Sequence, residues 1–344
     1  MVRVADPAWY LNVGSEFLTY SVRLKTPRVH IPRRRRRPLW ALASVLLLVT
    51  CLGRGVEPPA TVVETPGTRS YRVDAGDLTR TFLLHVPPSR TRRFCLATAY
   101  PLVIVLHGSG ANGPTIRRMS GMDSIADAAR FLVAYPNATT ATLGLGADWN
   151  AGECCGAAQR GNVNDVGFMR ALVGALSREM PVDRRRIYVA GFSDGARMAY
   201  RVACDMGARV AAVGVVSGSL KDGQCAPRRP VPLIAFHGTA DDEVPYRDSS
   251  FSTALGSPPT GAGAIPPSVL FWATIDHCRT ARTTHVAPQV ILTRFLGCAA
   301  DVSLYSVVGG GHAWPGAAQD ADDPAREVDA SRQAWRFFSA HPLP

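Results

Sequence analysis

A serine hydroxyl becomes a strong nucleophile when a base takes its proton and an acid orients that base. The stretch Arg186-Ile-Tyr-Val-Ala-Gly-Phe-Ser-Asp-Gly-Ala-Arg-Met-Ala-Tyr200 sets Ser193 between Gly191 and Gly195, in the pattern G-x-S-x-G. A short apolar strand precedes the serine and a helical pattern follows it. A serine at so sharp a strand-to-helix turn takes a strained backbone conformation, and the residues two before and two after it crowd together. Glycine at both places removes that clash. The helix then aims its free N–H groups and its positive dipole end at the reaction centre.

Eight histidines compete for the role of base. His30 lies in the leader, His85 in an early strand and His341 near the C-terminus. His107 and His237 each precede glycine at a strand end and are expected to shape those turns. His277 and His285 have no glycine context. His312 follows an apolar strand over 302–308 and the run Gly309-Gly-Gly311, a backbone free to present an imidazole. The orienting acid is sought after the buried strand 232–236, where Asp241, Asp242 and Glu243 occupy one loop. The carboxyl end of a strand is where α/β enzymes place their chemistry. The residues themselves leave these three acids open. Two N–H donors must face the oxyanion, each worth about 3 kcal/mol of barrier. Asp194, just after the nucleophile, is one. The other is expected from His107-Gly-Ser-Gly110, with Ser109 N–H preferred.

These residues need a frame. Apolar runs over 79–86, 101–106, 131–135, 186–192, 210–216, 232–236 and 302–308 read as strands. Helical patterns cover 124–130, 165–180, the segment after Ser193, and 328–340. Strand and helix alternate, which predicts an α/β protein with a mostly parallel, doubly wound sheet and helices on both faces. The order serine, acid, histidine along the chain is that of the α/β-hydrolase fold.

The elbow, His107-Gly108, His237-Gly-Thr-Ala-Asp241-Asp-Glu-Val-Pro-Tyr246 and Gly309-Gly-Gly-His-Ala-Trp-Pro-Gly316 together resemble the polyhydroxybutyrate-depolymerase-like esterases. That family includes feruloyl and acetylxylan esterases of carbohydrate esterase family 1 and LpqC-type lipoproteins. Also matching are Trp149-Asn-Ala-Gly-Glu-Cys-Cys-Gly156, Asp165-Val-Gly-Phe168, Met198-Ala-Tyr-Arg-Val-Ala-Cys204 and Trp335-Arg-Phe-Phe-Ser-Ala-His-Pro342. The resemblance covers residues 71–344. It selects Asp241 among the three acids, giving a triad of Ser193, Asp241 and His312. It implies hydrolysis of hydroxycinnamoyl or acetyl esters of plant polysaccharide, or of short hydroxyalkanoate esters, without a metal or organic cofactor. Asp194 and Ala196 stand where the family usually has Asn and Gly, and Asn164 replaces an acid. Trp149, Tyr246 and Trp314 lie beside the triad in sequence and are candidates to stack on substrate. Ordinary loop packing is the competing reading for each. Two other functions share these residues: an acyltransferase on the same fold, separable by product analysis with a sugar acceptor, and a non-catalytic surface lipoprotein, which the intact triad spacing opposes.

The chain has 344 residues and a formal net charge of +11. Before Pro38, nine basic residues stand against Asp6 and Glu16, so +7 of that charge is local and +4 belongs to the rest. A charge confined in this way does not argue for nucleic acid. Five arginines, 33–37, precede an apolar run over 39–52, too short for the ~20 residues of a spanning helix and typical of an export signal. The expected divisions are a basic leader over 1–38, a signal or lipoprotein-anchor segment over 39–55, a linker over 56–68 and one catalytic domain over 69–344. Leu48-Val-Thr-Cys51 resembles a lipobox, with threonine where a small residue is usual, so membrane anchoring through the N-terminus competes with cleavage. The expected protein is extracellular or in the cell envelope, monomeric, with an ester as its partner. Eight cysteines without C-x-x-C spacing fit an oxidising compartment. Cys204 with Cys225 and Cys278 with Cys298 are plausible pairs. Asp320, Asp322 and Asp323 read as a solvated loop rather than a calcium site.

Overall fold

Among the described residues, eleven strands form one sheet, in the order β1-β2-β3-β5-β4-β8-β9-β10-β13-β12-β11. They are β1 (Arg3–Val4), β2 (Gly67–Ala75), β3 (Leu78–Val86), β4 (Tyr100–Leu106), β5 (Leu132–Pro136), β8 (Val182–Phe192), β9 (Ala212–Val216), β10 (Leu233–Gly238), β11 (Thr280–Ala287), β12 (Val290–Leu296) and β13 (Val302–Val307). A separate ribbon pairs β6 (Thr139–Thr140) with β7 (Ala147–Asp148). The helices are α1 (Gly113–Ser120), α2 (Met122–Ala129), α3 (Gly156–Arg160), α4 (Asp165–Glu179), α5 (Asp194–Met206), α6 (Pro267–Ile275) and α7 (Ala330–Ala340). This computed structural model describes residues 3–4, 66–88, 99–140, 147–152, 156–220, 225–247, 261, 263–317 and 323–344. Arg3–Val4 of the leader pair antiparallel with β2 at the sheet edge, where no strand is expected; the rest of the leader, the apolar run with its lipobox, Cys95, Cys154, Cys155, Asp320 and Asp322 lie outside the described residues.

The six strands β5, β4, β8, β9, β10 and β13 are parallel neighbours. Their side chains alternate between two cores. Leu102, Ile104 and Leu106 of β4 face α4, α5 and α6, while Val103 and Val105 face α1, α2 and α7. All five are fully buried. Burial on both faces is why these strands read as continuous apolar runs. The parallel centre is extended by antiparallel strands on each side: β2 and β3 at one end, the β11–β12 hairpin at the other. The sheet is therefore doubly wound at its centre and mixed at its margins.

Several boundaries differ from the sequence expectation. β2 begins at Gly67, so the last two residues of the expected linker are strand. Thr68 hydrogen-bonds His85 Nδ1 at 2.9 Å, a partner 17 residues away that no local pattern announces. The β11–β12 hairpin was not expected, because most of β11 is exposed and carries no apolar alternation. α1, α3 and α6 are not among the helices expected from the sequence. Asn164 caps α4, its side-chain oxygen accepting Gly167 N–H at 2.7 Å.

Both expected disulfides form. Cys204 at the end of α5 joins Cys225, and Cys278 after α6 joins Cys298 after β12. Each closes a loop of about twenty residues, and the chain-entropy model gives such a link about 3 kcal/mol. Replacing Cys278 and Cys298 together by serine is expected to lower the unfolding free energy by roughly 2–4 kcal/mol, read as a lower urea midpoint. An unchanged midpoint would show that the link adds no stability.

Candidate active site

The elbow is built as its glycines demand. Ser193 has φ 55° and ψ −118°, outside the regions L-residues ordinarily occupy. A Cβ on Gly191 would lie 2.1 Å from Gly195 O, and one on Gly195 would lie 2.4 Å from Leu106 O and 2.5 Å from His107 O. No side chain fits at either position. Ser193 N–H donates to Val216 O at 2.9 Å, fixing the turn to the end of β9. Although Ser193 occupies the N-cap of α5, its hydroxyl does not cap the helix. The hydroxyl is thus left for chemistry.

Asp241 and His312 come from the loops after β10 and β13, which are neighbouring strands. Backbone bonds stitch those loops: Thr239 N–H to Val307 O and Ala240 N–H to Gly310 O, both 2.9 Å. A Cβ on Gly238 would lie 2.2 Å from Gly310 O, so the loops touch through bare backbone. His312 Nδ1 is 2.9 Å from Asp241 Oδ2 and 3.1 Å from Oδ1. With Nδ1–H donated to the carboxylate, Nε2 keeps the lone pair that can accept a proton. The His312 ring also lies against Phe192, the residue before Ser193, with ring centres 4.8 Å apart. Burial alone would raise the Asp241 pKa. Hydrogen bonds from His237, His312 and Val244 N–H outweigh it and hold the carboxyl well below the usual carboxylate range. Asp242 and Glu243 are exposed; Glu243 Oε2 stands 3.6 Å from His312 Nε2.

His237 and His107 shape turns, as expected. His237 Nε2–H donates to Val244 O at 2.8 Å. His107 Nε2 accepts Ala138 N–H at 3.0 Å, so its proton is on Nδ1, donated to Gly108 O at 2.8 Å. Burial pushes the His107 pKa down to about 4 and keeps the ring neutral. The turn after it approaches Ser193: a Cβ on Gly108 would lie 3.2 Å from Ser193 Cβ. That contact sets the backbone of Gly108, next to Ser109 in the chain, against the Ser193 side chain.

The family model described as Esterase PHB depolymerase matches residues 81–228. The "Putative esterase NocK" of Nocardia uniformis subsp. tsuyamanensis is 30% identical over 319 residues, spanning 82% of this chain and 90% of that protein. The chain belongs to the PHB-depolymerase esterase family. It is an esterase, a carboxylic ester hydrolase. Feruloyl esterase C of Emericella nidulans is 25% identical over 244 residues, 64% of this chain and 83% of that one. The solved acetyl xylan esterase from Aspergillus awamori shares the α/β-hydrolase fold, with a TM-score of 0.54 at 15% identity over 78% of this chain and 98% of that one.

Two of the three aromatic candidates are corrected. Trp149 is fully buried, packed on His107 and Phe168, and its Nε1–H donates to His107 O at 2.9 Å. Trp314 is 2% exposed and donates to Ser331 Oγ at 3.0 Å. Neither ring has a face to offer a substrate; each holds the esterase's loops by packing. Tyr246 lines a cavity of ≈540 Å³ with Thr239, Asp241, Arg247, Thr293 and Ser306. Asp323 caps a short 3-10 helix (Pro324–Glu327) by accepting Ala325 N–H.

Two buried acids support the site from behind. Asp165 Oδ2 accepts Asn150 N–H at 2.8 Å, and Arg80 lies 2.8 Å from its Oδ1. Asp194 Oδ2 accepts Trp149 N–H at 2.8 Å. Burial pushes the Asp194 pKa up to about 6; the Trp149 bond and Arg197 oppose this, while Asp148 and Asp165 add to it. A carboxyl raised from about 3.9 binds its proton more readily folded than unfolded. Its ionised form therefore destabilises the fold above pH 6, and that cost fades as the pH falls toward 4. Asp194→Asn removes the charge and keeps an acceptor. The variant is expected to gain roughly 2–3 kcal/mol over the parent at pH 8 and almost nothing at pH 4, measured by urea unfolding at several pH values. A gain independent of pH would show that the parent's carboxyl does not titrate in this range.

Proposed function

We propose that the esterase works through an acyl-enzyme formed on Ser193. Ser193 Oγ attacks the ester carbonyl while His312 Nε2 takes its proton. Asp241 holds the imidazole through Nδ1 and stabilises its charged form. The N–H groups of Ser109 and Asp194 hold the oxyanion. His312 then gives the proton to the departing alcohol. Water enters, His312 deprotonates it, and the acid leaves from Ser193. The observation that carries this reading is the 2.9 Å hydrogen bond from His312 to a carboxylate already held ionised, on loops stitched beside the strained elbow. No step calls for a metal or cofactor.

The favoured substrates are hydroxycinnamoyl esters of plant polysaccharide, supported by relatives named feruloyl esterase. Acetyl esters of the same polymers follow from the family resemblance, and short polyhydroxyalkanoate esters from the family description. Tyr246 is the remaining aromatic candidate for the substrate side. Export is supported by the arginines and apolar run before the domain, and two disulfides suit an oxidising compartment. The mature esterase is read as extracellular or envelope-bound and monomeric, its catalytic domain beginning with β2 at Gly67.

Methyl ferulate and p-nitrophenyl acetate assays test the chemistry. Ser193→Ala is expected to lose on the order of 10⁴-fold or more in kcat, and Asp241→Asn about as much. Mass spectrometry of the parent stopped during turnover should find one acyl group on the peptide containing Ser193. Wild-type rates in Ser193→Ala would refute the mechanism. Mass analysis of the N-terminal peptide from envelope and medium fractions tests export: a mature chain lacking the leader is expected, a lipid on Cys51 would mark anchoring, and an intact Met1 would contradict processing.

A further inference from the structure

The segment 147–150 lies between the two sides of the proposed oxyanion hole and is tied to both. On the loop side, Ala147 O accepts Gly110 N–H at 3.0 Å and Asp148 Oδ1 accepts the Ser109 hydroxyl at 2.8 Å. Trp149 Nε1–H adds a bond to His107 O. On the elbow side, the tie is the Asp194 carboxyl, through Trp149 N–H. The far end is anchored by Asn150, whose N–H reaches Asp165 and whose side-chain amide donates to Val163 O at 2.9 Å. Asp194 Oδ1 is buried and has no hydrogen-bond partner among the described residues.

We infer that segment 147–150 is a strut that sets the separation of the Ser109 and Asp194 N–H donors, with the Asp194 side chain as the positioning residue that fastens it to the elbow. The inference rests on the oxyanion roles proposed above. Asp194 serves twice: its backbone N–H faces the reacting oxygen, and its carboxyl holds the opposite donor in register through Trp149, Asp148 and Ser109. Removing the carboxyl leaves the nucleophile and both donors in the chain but frees their spacing. Donors of this kind act on the charge that develops in the transition state, so their misplacement lowers kcat and leaves KM nearly alone.

The test uses the whole esterase and p-nitrophenyl acetate. Asp194→Ala is expected to lose roughly 100-fold in kcat with KM changed less than about twofold. Asp194→Asn keeps an acceptor for Trp149 N–H and should stay within about threefold of the parent. Ser109→Ala cuts the tie at the exposed end and should lose about fivefold in kcat, the worth of one neutral hydrogen bond. The double variant Asp194→Ala/Ser109→Ala should be no slower than Asp194→Ala, because both ties act through one segment. A parent-like kcat in Asp194→Ala, a loss confined to KM, an Asn variant as slow as Ala, or losses that multiply would each overturn the inference. If Asp194→Ala does not fold, a parent-like kcat in Ser109→Ala overturns it. Ser193→Ala separates the two readings: if it stays active, the proposed mechanism fails; if it is dead while Asp194→Ala is normal, the strut alone fails.

Discussion

Everything at this site depends on a backbone contact that leaves no room for a side chain. The start of α5 presses on the end of β4 so closely that a methyl group at Gly195 would meet the Leu106 and His107 carbonyls at 2.4 and 2.5 Å. That pressure holds the serine at φ 55° and turns the chain from strand to helix within one residue. It also brings the turn after His107 against Ser193, so the proposed second donor loop is placed by the contact that strains Ser193. The register of β4 on β8, Leu106 opposite Gly191, is what makes the contact possible. The two-sided burial of those strands fixes the register, since a slip by one residue would exchange the two cores.

The parts legible in sequence were those where backbone geometry dictates residue type. Gly191, Gly195 and Gly238 are each required by a close approach, and the run before His312 marks the turn that presents the imidazole. The buried central strands were legible for a related reason: they are apolar on both faces. The cysteine pairs were legible because each flanks one local unit.

The rest was hidden by interactions between distant residues. Trp149 and Trp314 stand beside site residues in sequence, but whether an indole faces solvent or core depends on which way the loop turns. Trp149 turns inward because its two N–H groups find Asp194 and His107, 45 and 42 residues away. Asp165 was visible only as part of a family motif; its partners Arg80 and Asn150 come from other elements. Between Cys278 and Cys298 the sequence shows a loop and one strand; β11 was hidden because a strand exposed along most of its length has no pattern to show. Asp194 drew notice by its departure from the usual Asn, and its burial gives that departure a physical meaning. A carboxyl with one oxygen bonded and the other enclosed is most stable when it carries a proton, the state in which it most resembles the amide it replaces.

The stitching of the loops after β10 and β13 has an evolutionary side. Asp241 and His312 are brought together by main-chain hydrogen bonds and by the absence of a Cβ at Gly238, with the Thr239 hydroxyl oxygen accepting Gly309 N–H and His237 Nε2–H donating to Val244 O. Substitutions that spare His237 and Thr239 therefore leave the bonds joining these loops in place. The surface around the proposed site can change, and with it the esters admitted, without disturbing the main-chain bonds that hold Asp241 beside His312. A change of substrate can thus be separated from a change of chemistry, because the frame that holds Asp241 and His312 is built largely of backbone.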